Sequence, residues 1–199
     1  MTTINDVVIE GIIVHKFVTP KIVILTINTG NATVEPNYPK VLFFGQFIEE
    51  IEKGFEVKDH VQITGNIQSS KYKPNIKNQN TISIFGESIT RSDFINSKTF
   101  TNKFEILGTI TSIEKIVHNI VKMKVLTTKH DRISFVSLVY YTDNPDQILE
   151  QFKVEDTVHI NGCIQTTKKE SNGEIHHFEN YVINTIEHAD TDVEQTNND

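Results

Sequence analysis

Apolar and polar residues follow one another in short runs of strand length. Val7 to Val14 is an apolar run interrupted by Gly11, and a glycine inside a strand marks a bulge or a sharp bend. Lys21 to Asn28 is rich in β-branched residues and predicts a second strand. A loop containing Gly30, Asn31, Pro36 and Pro39 separates it from a third, Val41 to Phe44, which stops at Gly45. The spacing then changes: Phe47, Ile48 and Ile51 fall on one side and Glu49, Glu50 and Glu52 on the other, which predicts a short amphipathic helix ended by Gly54. In the fourth strand Val61, Ile63, Gly65 and Ile67 alternate with Gln62, Thr64, Asn66, Gln68 and Ser70, giving one core face and one wet face. After the polar, basic loop from Lys71 to Asn80, a closing strand starts at Thr81 and ends near Ile89.

The same pattern returns 97 residues later. GFEVKDHVQITGNIQSSK, starting at Gly54, aligns without a gap to QFKVEDTVHINGCIQTTK, starting at Gln151, and Gly11 matches Gly108. In the second copy the strands are Phe104 to Thr111, Ile120 to Leu126, Ile133 to Tyr141, Val158 to Gln165 and His177 to Ile186. Asn144 caps the helix ahead of Pro145. Lys168 to Gly173 reads as a turn carrying the Asn172-Gly173 hairpin signal. Each copy is therefore three strands, a short helix and two more strands, which is the order of an OB-fold. The expected fold is all-β with one short helix per domain: two tandem five-stranded Greek-key barrels. The expected division is residues 1–90 for the first domain, 91–102 for a linker, 103–187 for the second domain and 188–199 for an acidic, disordered tail.

Composition narrows the function by exclusion. The start of the chain has no basic segment followed by an apolar one, and no apolar run reaches the roughly 18–20 residues of a membrane span. A single cysteine, Cys163, allows no internal disulfide and no cysteine-rich zinc site, so a cytoplasmic protein without cofactors is expected. His176 and His177 lack the spacing of a metal site, and no catalytic or nucleotide-binding motif is present, so no enzyme activity and no catalytic residues are expected. The net charge of −7 is concentrated at the end, where Glu187, Asp190, Asp192, Glu194 and Asp199 stand without any lysine or arginine. Elsewhere the charges nearly balance, which permits a polyanionic ligand held by local patches.

The stretch VLFFGQFIEEIEKGFEVKDHVQITGNIQSSKY resembles the bacterial and phage single-stranded DNA-binding proteins (SSBs), and NDVVIEGIIV fits the family's opening strand. The resemblance covers almost all of the first copy and, less closely, the second. It implies bases stacked on Tyr38, Phe44 and Tyr72, with Lys40 as the basic residue of the third strand. Tyr38, Lys40, Leu42 and Phe44 do share one parity, and Val41 and Phe43 take the other, toward the core. In the second copy Phe135 and Tyr141 are the matching aromatics, and Tyr140 falls on the core parity. Phosphate contacts fall to Lys71, Lys73, Lys122, Lys124, Lys168 and Lys169, each of which reads otherwise as solvated surface charge. The implied ligand is single-stranded DNA bound without sequence preference, with RNA compatible. The role would be protecting or presenting strands in replication, recombination or transfer of a phage or mobile element. A homodimer and contacts with replication or recombination proteins fit the same resemblance. The alternative is an OB scaffold whose aromatics form a protein interface. Because the core layer is copied more closely than the outer layer, the two copies are expected to contribute unequally.

Overall fold

The strand pattern closes twice into the same ring. The structure is a computed structural model that describes residues 4–30, 36–69, 82–92, 100–171 and 174–189, without the side chains of residues 168–171 and 174–177. The first half contains β1 (Asn5–Val18), β2 (Val23–Asn28), β3 (Lys40–Phe43), α1 (Phe47–Gly54), β4 (His60–Ser69) and β5 (Ile82–Arg91). The second contains β6 (Asn102–Val117), β7 (Ile120–Lys129), β8 (Arg132–Tyr141), α2 (Pro145–Gln151), β9 (Thr157–Ser171) and β10 (Glu174–His188). In each half the first strand pairs with the second and the fourth, the third runs parallel to the fifth, and the fifth closes onto the fourth. The same pairings recur in the second half. Each ring is a five-stranded OB barrel with its helix between the third and fourth strands.

Alternation decides what fills each barrel. Val23, Leu25 and Ile27 of β2, Val41 and Phe43 of β3, and Val61, Ile63 and Ile67 of β4 are buried, while Ile24, Thr26, Lys40, Leu42, Gln62 and Thr64 between them are half-buried or exposed. Ile51 of α1 closes one barrel end, and Ile148 of α2 closes the other. Tyr140 is half-buried against the core.

A single strand can serve two neighbours only if it bends. β1 pairs with β4 over Val7 to Ile12 and with β2 over Ile12 to Val18, with a register break at Val14. Gly11 lies just before that change of partner, where a Cβ would come within 2.2 Å of the Asn28 carbonyl oxygen. Gly108 repeats the close approach against Leu126, and β6 breaks register at Thr111, the counterpart of Val14. The glycines thus mark backbone contact, and the bulges follow them.

The residues shared by both copies turn out to be structural devices. Asp59 accepts a hydrogen bond from the Glu56 amide at 2.8 Å, and Asp156 accepts one from Lys153 at 2.7 Å. Each carboxylate pins a turn whose third residue, Lys58 or Glu155, has positive φ. Arg91 donates to the Gly54 carbonyl, ion-pairs with Asp59 and lies over the Phe55 ring. His188 takes the same place over Phe152, within hydrogen-bond reach of the Gln151 carbonyl. Asn144 accepts from the Gln147 amide, as its cap position predicts. One expectation is corrected: Lys168 to Ser171 extend β9 instead of forming a turn, because the hairpin with β10 pairs as far as Ser171 and Glu174.

A second pair of devices had no forecast. The side chain of Asn5, 1% exposed, donates to the Ile67 carbonyl at 2.8 Å and accepts from the Ile67 amide at 2.9 Å. Asn102 does the same to Ile164, at 2.7 and 3.1 Å. Each carboxamide substitutes for a missing strand neighbour and satisfies both polar groups of one residue.

β1 and β6 join the barrels antiparallel, and the register places Val7 opposite its own counterpart, Phe104. Asn5 then faces Ile106 and Ile9 faces Asn102, so exchanging the halves reproduces the pairing. The chain is an internal pseudo-dimer with a two-fold relation through that pair. On the far side of this junction His159 bridges Glu105 at 2.7 Å and Glu187 at 3.1 Å. Burial works against its charge, but hydrogen bonds and charges from the two carboxylates outweigh it and hold its pKa above the ordinary value.

Replacing Asn5 by Ala would leave the Ile67 N–H and carbonyl without partners in the core, a loss of about 2–4 kcal/mol on denaturant unfolding. Asn5→Asp should recover only part of this, because a carboxylate can accept from the amide but cannot donate to the carbonyl.

Candidate nucleic-acid interface

The pseudo-two-fold relation brings the outer faces of both barrels to one side of the molecule. The segment leading into β3 lies against the second barrel: Asn37 Oδ1 accepts from the Thr166 amide at 2.8 Å, and the Tyr38 amide donates to Thr166 Oγ1 at 3.0 Å. The counterpart contact is present as well, with the Phe135 amide donating to Ser69 Oγ at 3.1 Å. Tyr38 and Phe135, aligned by the repeat, are therefore fixed by equivalent bonds across the junction. Tyr38 stands two residues ahead of β3, and Phe135 lies within β8.

Between the outer faces runs an open groove of about 510 Å³. Lys40, Leu42, Ile82 and Ser83 line it from the first barrel, and Lys122, Ser137 and Val139 line it from the second. Phe178 to Tyr181 of β10 lie along it. The parity of β3 puts Lys40 and Leu42 outward because Val41 and Phe43 fill the core. On β7, Val121, Met123 and Val125 are buried, which leaves Lys122 and Lys124 on the outer face opposite Val139 and Ser137.

Ion pairing is uneven among the described cations, and Lys21, Lys58, Lys103 and Lys153, away from this face, belong to no ion pair. Among the described residues Lys16, Lys53, Arg91, Lys115 and Lys129 each pair with a carboxylate. Lys122, Lys124 and Arg132 pair with none. Lys40 has a carboxylate nearby through its backbone, where its amide donates to Glu179 Oε1 at 2.8 Å. Burial pushes the Glu179 carboxyl above the usual carboxylate range, against the pull of the Lys40 amide and charge. Burial, together with the Glu179 charge and hydrogen bond, also raises the Tyr181 hydroxyl well above its ordinary value.

The predicted residues occupy three places. Lys40 and Lys122 share the groove, and Lys124 continues along the same strand face. Phe44 lies beyond the end of β3, 42% exposed, and Phe135 and Tyr141 are exposed on β8, 41% and 47%. Tyr38 is half-buried at the junction. Lys71, Tyr72 and Lys73 lie outside the described residues, as do the side chains of Lys168 and Lys169, whose backbones belong to β9. Glu179, Phe178, Phe85 and Arg132 border this surface without having been predicted. Glu179 and Arg132 earn their positions only from contacts with the other barrel, which spacing within one copy cannot reveal. Among the described residues no three His, Cys, Asp or Glu side chains converge as a metal site, and no helix is long and apolar enough to cross a membrane. Cys163 is half-buried, with its thiol 3.8 Å from Asn184 Oδ1 and its pKa raised by burial.

Similarity to solved structures extends over the whole chain. A crystal structure of a deletion mutant of the single-stranded DNA binding protein from Thermus aquaticus superposes with a TM-score of 0.70 at 13% identity, covering 98% of each chain. The wild-type protein from the same organism gives 0.66 at 12% identity, covering 96% of this chain and 95% of that one. In fold the chain is similar to these proteins, with two OB barrels in one polypeptide. No model of a known protein family matches the sequence, and comparison with curated protein sequences gave no match.

Glu179→Gln keeps an oxygen for the Lys40 amide and removes the titration. Because the folded-state pKa of Glu179 is raised, the stability linked to its protonation is fully present below the unfolded pKa and is lost as pH rises through the folded value. The melting temperature of the variant should therefore gain on wild type as pH rises through that window and level off above it. A difference constant across pH would remove Glu179 from the linkage.

Proposed function

We propose that this chain binds single-stranded DNA without sequence preference, along the groove between its two OB barrels. The observation that carries the proposal is that Lys40 from one barrel and Lys122 from the other line one groove, while Lys122 has no carboxylate partner among the described residues. Phosphates would follow Lys40, Lys122 and Lys124, and bases would stack on Tyr38, Phe44, Phe135 and Tyr141. The structural similarity to a protein that binds single-stranded DNA supports the same reading. On this proposal residues 1–90 and 103–187 are two domains of one binding unit, joined by residues 91–102. They contribute unequally, since Lys40 aligns with Ser137 and Tyr72 with Lys169. The role would be to protect or present single strands during replication, recombination or transfer of a phage or mobile element. Such a protein needs no catalytic step, and its assembly as a homodimer and its recruitment of replication or recombination proteins belong to the same proposal.

The test is a salt titration with a fluorescent oligonucleotide of about 30 nucleotides, long enough to engage both barrels. Log affinity should fall linearly with log salt, with a slope of about −0.7 for each phosphate contact. No binding at low salt would overturn the proposal. Replacing Tyr38 and Phe44 together by Ala should weaken binding by about 1–3 kcal/mol for each stacked base removed, with the circular dichroism spectrum unchanged. Unaltered affinity would move the binding face elsewhere.

A further inference from the structure

Beside the groove lies a cluster built from both barrels. Phe44 stacks on Phe85 of β5, with ring centroids 5.3 Å apart and planes 16° from parallel. Over the Phe85 ring lies Arg132, its guanidinium carbon 5.4 Å from the centroid. Arg132 belongs to the other barrel, at the tip of the β7–β8 hairpin.

That tip is held in place. His130 and Asp131 both have positive φ, at 48° and 59°, the backbone of a tight hairpin turn. At the entry to the turn Lys129 bonds to Asp6, and within it His130 Nε2 lies 2.9 Å from Glu87 Oε1. The hairpin therefore delivers Arg132 onto the first barrel by fixed contacts and leaves its side chain in solvent. Among the described residues no carboxylate neutralises it.

The cluster continues the groove without a break. Leu42 pairs with Phe85 across β3 and β5, and Leu42 and Ser83 line the groove. Phe44 and Phe85 each stand two residues further along the same face, about 7 Å away.

We propose that Phe44, Phe85 and Arg132 form a composite subsite for one nucleotide of single-stranded DNA, with the base on the exposed ring of Phe44 and the phosphate on Arg132. This rests on reading the groove as the single-strand site. A guanidinium can keep one face on an aromatic ring while its edge N–H groups bond a phosphate, which an ammonium cannot do. Because the aromatic pair comes from one barrel and the cation from the other, a strand in this subsite spans the junction. The barrels then bind as one continuous track, not as two independent sites. The subsite occurs once per chain: the positions matching Phe44, Phe85 and Arg132 at the 97-residue offset are Tyr141, Val182 and Glu35, which lack the second ring and the cation.

Two measurements test it, both with the full chain and a dT oligomer of about 30 nucleotides. Arg132→Gln should weaken binding about tenfold and make the salt slope shallower by about 0.7, one phosphate contact, while Arg132→Lys keeps the slope and loses part of the affinity. Separately, photo-cross-linking of wild type to an oligomer carrying 5-iodouracil should label the peptides containing Phe44 or Phe85. Wild-type binding with unchanged affinity and slope in Arg132→Gln overturns the subsite alone, as does cross-linking confined to other peptides. Wild type that fails to bind the oligomer overturns the groove as a single-strand site and the subsite with it.

Discussion

The antiparallel pairing of β1 with β6 satisfies backbone groups that would otherwise lie on an open edge of each barrel. Its register does more than join the halves. With Val7 opposite Phe104, each barrel meets the other through the same residues, and equivalent backbone positions face each other on both sides of the junction. The amides of Tyr38 and Phe135 then reach Thr166 and Ser69 as a matched pair. A register slip of one residue would turn the side chains of the paired segment to the wrong face and take the two outer surfaces out of line. The groove, and everything attributed to it, depends on those five residue pairs.

Much of this was legible in the chain because a barrel core imposes strict alternation. Val41 and Phe43 pointed inward and Lys40 and Phe44 outward on parity alone, and burial agrees. The duplication was equally plain, since Phe55, Asp59, Ile63 and Gly65 recur at one offset. Less visible was why Asp59 and Asp156 recur. Their carboxylates hold turns with a residue at positive φ, a backbone requirement that leaves no periodic trace. Asn5 and Asn102 do share the offset, and that coincidence was the available signal for the carboxamide bridges. The polar residues Lys168 to Ser171 read as a turn because polarity alone does not tell a turn from a strand, and their backbone pairing with β10 makes them strand.

The site was less legible than the fold, for a physical reason. A core residue is specified by its own strand, but Glu179 and Arg132 acquire their surroundings from the opposite barrel. Glu179 sits among barrel-two residues and bonds to Lys40, 139 positions away in the chain. Arg132 lies over a ring of the first barrel. No pattern within one copy encodes either contact.

A true homodimer of identical barrels would carry every substitution twice, once on each side of its axis. Here the axis relates two sequences that mutate separately, so a residue useful on one side need not be tolerated on the other. Arg132 shows the result: its own barrel has Val182 where the first has Phe85, and the first barrel has Glu35 where the second has Arg132. Fusing the copies retained the geometry of a symmetric pair while releasing its surface from symmetry. The two ends of the groove are chemically different, and a ligand with its own direction, such as a nucleic-acid strand, has two inequivalent ways to lie in it.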